Sequence, residues 1–439
     1  MESNIGFLDK RFKLKENKSD IRTEFLGGLT TFMAMSYILI VNPIILSDTG
    51  MDKGALFTST AIASIVATLI MSLYANYPFA LAPGMGLNAF FTYSVVLGMS
   101  KSYEFALTAV LIEGIIFILL TFIKVREAIV NAIPLTLKHA VGVGIGLFIA
   151  FLGFINAKLV INNDATLVGL GSVRDPNVIV AIIGLIATAV LLAKNVKGAM
   201  LIGIVVGTLV GVPLGVTPLP NTVFAMPPSV APIAFKFVGF DQIFTFDMFM
   251  VIITFLFVDM FDTIGMLIGT AAKSGMLDKD GKLPRIEKAL FADAFGTTLG
   301  ACLGTSTITT FAESATGVAE GARTGLASLV VGILFILSLF LAPIFTIVPA
   351  AATAPALIIV GLFMMSSIIH VNFDDITESF PAFLSIIMMP LTYSIGEGLA
   401  FGIMSFAAMK LLTGRRREAS PIIYVLAVLF ALRLIFMVA

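Results

Sequence analysis

Between Arg323 and His370 the chain carries no Asp, Glu, Lys, Arg or His. A run of that length accommodates two membrane-spanning helices at ~20 residues each. The same deficit holds for the whole chain: only 12% of its 439 residues are charged and 58% are hydrophobic, against about 25% charged in soluble proteins. Hydropathy therefore excludes a large soluble protein with a greasy core and predicts an all-α integral membrane protein. The formal net charge is zero, which gives no sign of a nucleic-acid partner. A single cysteine, Cys302, excludes a disulfide within the chain and a cysteine-rich metal site. No secretory signal is expected, because the first apolar segment follows a basic stretch and is too long for one.

Apolar segments lie at about 24–47, 54–74, 78–100, 103–123, 136–157, 177–194, 198–216, 247–271, 287–303, 304–321, 324–345, 350–370, 381–395 and 397–413, which predicts fourteen spans. A further stretch, 421–439, carries Arg433 near its middle and is expected to lie on the surface or pack peripherally. Basic residues orient the bundle. Lys10, Arg11, Lys13, Lys15, Lys18 and Arg22 put the N-terminus in the cytoplasm. Span counting then puts Lys124 and Arg126, Lys194 and Lys197, Lys273 to Lys288, Arg323, and Arg415 to Arg417 on that same side. The opposite loops, such as Thr217 to Thr245, are poor in basic residues.

Two stretches resemble each other. "IPLTLKHAVGVGIGLF" begins at Ile133 and "VPAAATAPALIIVGLF" at Val348, with Pro second and Gly-Leu-Phe last in both. Each precedes two closely spaced apolar segments, whose second members open "GAMLIGI" and "GLAFGI". This predicts a duplication. Seven spans per unit is odd, so the second unit is inverted, a recurring plan of secondary transporters.

Segments three and ten depart from simple spans. Pro83, Gly84 and Gly86 in "LAPGMGLNAFF" interrupt a helix, and "GTSTITTFAES" is Thr-rich and extended in preference, with a helix able to start near Ala312. Short extended pieces in matching positions of two halves point to a binding site, where helix N-termini expose free N–H groups.

Intramembrane carboxylates mark function, because burying them is costly. "FLFVDMFDTIGMLIG" places Asp259 and Asp262 at i and i+3, on one helix face. Glu313 follows the Thr-rich piece, and Asn88 follows Pro83-Gly84. Carboxylate acceptors plus one amide suit a planar ligand with N–H donors and ring acceptors, and do not suit an anion. Phe311, Phe90 and Phe91 flank these groups and can stack on a ring. Asp293 reads as structural, Glu113 is open between the two roles, and His139 and His370 read as interfacial. No Walker motif, metal-ligand cluster or nucleophile motif is present, so neither an enzyme nor ATP-driven transport is expected, and no cofactor. Ion-gradient coupling remains, by protons or, as an open alternative, sodium.

These residues carry a resemblance. The chain resembles the second family of nucleobase–cation symporters, with the xanthine/uracil permease fold. Within it, the chain is similar to the adenine/guanine/hypoxanthine permease branch related to the fungal azaguanine-resistance transporter. The carrying stretches are "TEFLGGLTTFMAMSYILIVNPIIL", "LAPGMGLNAFF", "FVDMFDTIG", "ADAFGT" and "GTSTITTFAESATGVAEGARTG", spread over both halves. The resemblance implies fourteen spans in two inverted sevens. A core domain would take 24–123 and 247–345, and a gate domain 124–216 and 346–414. Residues 1–23 would form a cytoplasmic segment, 217–246 an extracellular loop, and 415–439 a C-terminal segment. It implies a plasma-membrane importer of adenine, guanine or hypoxanthine, working by proton symport and an elevator motion, with homodimers formed through the gate domain. Asp259 and Glu313 match the family's substrate acids, Asn88 its third-span Asn. The pair Glu313-Ser314 fits the purine branch better than the xanthine/urate one. Asp259 is expected on the substrate and Asp262 in a coupling or positioning role, with Glu313 able to serve in coupling too. The competing class is a sulfate- or bicarbonate-type anion transporter with the same architecture, which predicts a site without buried carboxylates.

Overall fold

The structure, a computed structural model, describes residues 6–123, 134–220, 222–273, 276–277 and 283–437. Helices α1 (Ile21–Met35), α2 (Ile38–Ser47) and α3 (Lys53–Ile70) lead to strand β1 (Leu81–Pro83). Helix α4 (Met85–Ala89) continues as a π-helix through Phe90–Gly98, followed by α5 (Tyr103–Ile123). Next come α6 (Leu135–Asn156), a hairpin of β2 (Val160–Asn163) and β3 (Leu167–Leu170), α7 (Pro176–Ala193) and α8 (Ala199–Gly211). The second half holds α9 (Phe246–Lys273), α10 (Ile286–Leu303), β4 (Ile308–Thr310), α11 (Ser314–Ala319) and α12 (Gly325–Leu339). It ends with α13 (Ala350–Met365), α14 (Ile376–Thr392), α15 (Ile395–Leu412) and α16 (Pro421–Met437).

Among the described residues, seven helices are long and apolar enough to cross a membrane, beginning with Ile21–Ser47 and ending with Ile395–Leu412. Shorter apolar helices, such as Gly325–Leu339, accompany them. This is a multi-pass membrane protein. Lys124 and Arg126, counted above for orientation, lie outside the described residues, as does the side chain of Arg433. Helix α16 packs on α15 and buries Ile423 and Phe430.

One expectation needs correction, and the first span, Ile21–Ser47, carries an irregularity. It breaks at Ser36–Tyr37, where Leu39 N–H and Ile40 N–H bond carbonyls only three residues back. Pro43 follows, without an N–H for the preceding turn. The fold is not wholly helical outside segments three and ten, because β2 and β3 pair antiparallel with Val160 opposite Leu170. Asn163 holds the tip of that hairpin, accepting from Ala165 N–H at 2.9 Å.

Strands β1 and β4 pair antiparallel in the buried centre, with Ala82 opposite Thr309. A two-stranded ribbon in lipid leaves two outer edges of backbone groups without partners, each costing several kcal/mol. Two threonines close those edges. Thr68 Oγ1 on α3 donates to the Leu81 carbonyl at 3.1 Å and accepts from Leu81 N–H at 3.0 Å. Thr297 Oγ1 on α10 does the same for Ile308, at 3.0 and 3.1 Å. Ser314 Oγ accepts from Ala80 N–H at 3.0 Å, and Gly84 N–H donates to the Thr307 carbonyl at 3.0 Å. One hydroxyl, being donor and acceptor at once, satisfies both groups of one residue.

Close packing uses small residues. Helices α6 and α13 cross antiparallel, with Gly146 against Gly361 and Gly153 against Ala354. In lipid such crossings rest on van der Waals contact, which small side chains permit. Buried Glu24 on α1 accepts from the N–H groups of Arg323, Thr324 and Ala327 at 2.9, 3.3 and 3.2 Å, capping α12. A carboxylate suits the positive end of that helix.

Candidate functional site

The paired strands end where three helices converge. Helix α4 starts directly after β1, with Gly84 as its N-cap. Helix α11 starts after β4, with Glu313 as its N-cap. Helix α9 passes beside both, and Tyr37, at the break between α1 and α2, closes the fourth side.

Glu313 is half-buried, and its Oε1 accepts from Tyr37 Oη at 2.7 Å. Tyr37 is 1% exposed, and its ring centroid lies 6.5 Å from that of buried Phe311. Ala312 and Thr316 are exposed, so the face of α11 beside Glu313 is open. Asp262 is also half-buried. Its Oδ2 lies 3.6 Å from the point where a Cβ on Gly84 would stand. It therefore faces the first turn of α4, where N–H groups have no preceding turn to bond. Its charged neighbours are Glu313 and Asp293. The start of α11 differs from the expectation of free N–H groups. Ser314, Ala315 and Thr316 all bond carbonyls three residues back, so the Glu313 side chain, not the backbone, is the polar group this element offers.

Asp259 and Asp262 differ more than their shared helix face suggests. Asp259 is fully buried. Thr263 Oγ1 lies 3.1 Å from Asp259 Oδ1, 2.7 Å from Asp293 Oδ1 on α10 and 2.8 Å from Thr309 Oγ1 on β4. A hydroxyl has one proton to donate. Only one of the two carboxyl oxygens can receive it. The second contact bonds only if that carboxyl group is itself protonated and donates to Thr263. Asp259, Thr263 and Asp293 thus form one buried polar set shared by α9 and α10. Asp293, read from sequence as structural, belongs to this set.

Asn88 is fully buried and accepts through Oδ1 from Ser306 Oγ. Glu113 on α5 accepts from Thr307 Oγ1 at 2.8 Å, and Asn42 donates to Thr60 Oγ1 at 2.7 Å and Thr305 Oγ1 at 3.0 Å. These residues pin the segment before β4 from three directions. Asn88 thus fixes the crossing chains, and Ser314 binds backbone. Phe90 packs edge-on against Phe255 at 4.8 Å, and Phe91 is buried. His139 and His370 stand together, ring centroids 5.1 Å apart, between α6 and the turn after α13. Sequence reasoning missed Tyr37, Thr263, Thr68 and Thr297. Among the described residues, no group of three or more His, Cys, Asp or Glu side chains could hold a metal ion.

The convergence point thus offers two half-buried carboxylates, a phenol, an aromatic wall and a helix start. Comparisons with known proteins identify the family of the chain. The model of the Permease family, Xan_ur_permease, matches residues 22–401. The adenine permease AdeP of Escherichia coli is 42% identical over 99% of this chain and 97% of its own length. The guanine/hypoxanthine permease PbuG of Bacillus subtilis is 44% identical over 97% of this chain and 99% of its own. Among solved structures, the transmembrane domain of the cyanobacterial bicarbonate transporter BicA superposes with a TM-score of 0.63 at 15% identity. That likeness covers 87% of this chain and 97% of the other, and is one of fold alone.

Proposed function

Because the chain belongs to the Xan_ur_permease family of permeases, we propose that it carries purine nucleobases across the membrane. The observation that carries this reading is the pair of half-buried carboxylates, Asp262 and Glu313, at the convergence of α4, α9 and α11. Adenine, guanine and hypoxanthine each present N–H donors, on the ring or an exocyclic amine, beside ring nitrogens. Two carboxylates accept from the donors, and the first turn of α4 donates to a ring nitrogen. Phe311 and Tyr37 supply an apolar wall for the ring face. Similarity to the adenine permease AdeP and the guanine/hypoxanthine permease PbuG supports a purine and leaves its identity open between adenine and guanine/hypoxanthine.

An anion would meet two carboxylates here, which argues against bicarbonate or sulfate despite the shared fold. Within this proposal Asp262, not Asp259, contacts the base with Glu313, because Asp259 is fully buried against α10. Asp259, Thr263 and Asp293 hold the coupling proton. Asn88 and Ser314 position the crossing strands, and Phe311 lines the ring.

The remaining parts of the reading are proposed on the same footing: fourteen spans in two inverted sevens, a cytoplasmic N-terminus, and a homodimer built through the gate domain. So is an elevator motion of 24–123 and 247–345 against 124–216 and 346–414. The test is uptake of labelled hypoxanthine, guanine and adenine by a transport-deficient host expressing the chain, with every nucleobase and bicarbonate as competitors. Saturable uptake blocked by purines alone is expected. No uptake of any purine refutes the proposal.

A further inference from the structure

A cavity lies away from the carboxylates just described. It occupies about 200 Å³ between the π-helical extension of α4, the first half of α9 and the turn joining α14 to α15. Phe90, Tyr93, Thr254, Tyr393, Ser394 and Glu397 line it. Thr254 and Asp262 are eight residues apart on α9, so the two sites lie about 12 Å apart along that helix at 1.5 Å per residue. The cavity and the convergence point are therefore successive stations along the same helix.

Its construction repeats that of the central site. There, an acid at a helix start (Glu313 on α11) stands beside Tyr37 and Phe311. Here, an acid in a helix's first turn (Glu397 on α15) stands beside Tyr93 and Tyr393. Both tyrosine rings are held. Tyr93 Oη donates to Asp48 Oδ2 at 2.7 Å, and its ring meets that of Tyr393 edge-on at 6.4 Å. Tyr393 takes a left-handed backbone, φ 55°, which turns the chain out of α14. Its ring also contacts Phe148 at 5.7 Å and Phe151 at 5.5 Å. Ser394 caps α15 by accepting from Glu397 N–H at 3.2 Å. Glu397 and Asp48 put two acids at this end of the molecule, which disfavours an anion. Rigid aromatic faces with one carboxylate and hydroxyls suit a flat heterocycle bearing N–H groups.

We propose that this cavity is a second binding subsite for a nucleobase, distinct from the central one and taking its ring among Phe90, Tyr93 and Tyr393 with Glu397 accepting a ring N–H. The inference rests on the reading of the protein as a nucleobase carrier. With the N-terminus cytoplasmic, as proposed above, the subsite lies on the outer side, ahead of the central site.

Equilibrium dialysis of the purified, detergent-solubilised protein against labelled hypoxanthine tests it. The wild type should bind two bases per chain at saturation. Glu313→Gln should weaken the tighter class of sites roughly 10- to 150-fold and leave the other class unchanged. Glu397→Gln, which keeps the size of the side chain, should weaken that class about tenfold or more, the effect of removing a charged acceptor. Tyr393→Leu should weaken it similarly, while Tyr393→Phe retains it. One base per chain, bound more weakly by Glu313→Gln, leaves the transport reading standing and overturns the subsite. A second class untouched by Glu397→Gln and Tyr393→Leu also overturns it. No purine bound by any form overturns the transport reading itself.

Discussion

Gly146 and Gly361 face each other where α6 crosses α13, and each sets its carbonyl against the place where the other's Cβ would stand. From Gly146 that place is 2.8 Å from Gly361 O, and from Gly361 the approach to Gly146 O is closer still. In sequence both glycines open the Gly-Leu-Phe that ends the two similar stretches. Equivalent residues touching reciprocally are what a two-fold axis produces, as in an isologous interface. The contact therefore supports the proposed inverted repeat.

Gly361→Ala must push the two helices apart. It is expected to lower stability by about 1–3 kcal/mol, as overpacking does. Gly142, on the same helix as Gly146, has nothing within 4 Å of its Cβ position. Gly142→Ala should be neutral or stabilise by up to ~1 kcal/mol through helix propensity. Thermal unfolding of both variants in detergent makes the comparison. Equal melting temperatures would contradict the tight crossing.

Thr297→Val keeps the shape of the side chain and removes both bonds to Ile308. Two buried backbone groups then lose their partner, at about 1–3 kcal/mol each. The variant should melt earlier than wild type and bind hypoxanthine more weakly, because β4 leads directly into Phe311 and Glu313. Thr297→Ser retains the hydroxyl and should recover most of both losses. Failure of Ser to rescue would mean that packing, not edge satisfaction, is what Thr297 supplies.

A surface network gives a pH prediction of definite sign. Lys410, fully buried, pairs with Glu378 at 2.7 Å and Glu418 at 2.9 Å, and Arg415 pairs with Asp375 at 2.6 Å and Glu418 at 2.7 Å. The Arg415 side chain, bonded to each, holds Asp375 and Glu418 down at about 2. Carboxyl groups depressed in the folded state stabilise it fully above their unfolded values near ~4. That contribution fades as pH falls from there toward 2. The melting-temperature gap between wild type and Glu418→Gln should thus stay constant from pH 8 to pH 5 and narrow below about 4. A gap that closes near neutrality would point to another group.

Much of the architecture is legible in the sequence. The charge-free run after Arg323 announced the membrane, and Pro83-Gly84 with the Thr-rich stretch announced β1 and β4. The different surroundings of the two aspartates are not legible. Three residues of helix turn a side chain to within ~60° of its starting direction, so sequence puts Asp259 and Asp262 on one face. That same ~60° separates full burial beside Thr263 from facing Gly84. Tyr37 sat unmarked in a long apolar run, and Thr68 and Thr297 looked like any threonines of a membrane helix. Their meaning comes from strand edges that only the assembled fold creates.

The last prediction separates the two aspartates. If Asp262 and Glu313 accept from the base, Asp262→Asn and Glu313→Gln each remove a charged acceptor, worth about 1.5–3 kcal/mol. Affinity for hypoxanthine should then fall roughly 10- to 150-fold, with the losses differing across purine analogues that lack one N–H or another. Asp259→Asn leaves the base contacts in place and disturbs the proton held with Thr263 and Asp293. Its affinity profile should match wild type, while uptake loses its dependence on the proton gradient. Wild-type uptake should rise as external pH falls from neutral and collapse with a protonophore. In Asp259→Asn the pH profile should flatten. An Asp259→Asn variant with altered analogue preference and an intact pH response would reverse the assignment. Uptake by the wild type that ignores a protonophore but follows sodium would replace the proton with sodium as the coupling ion.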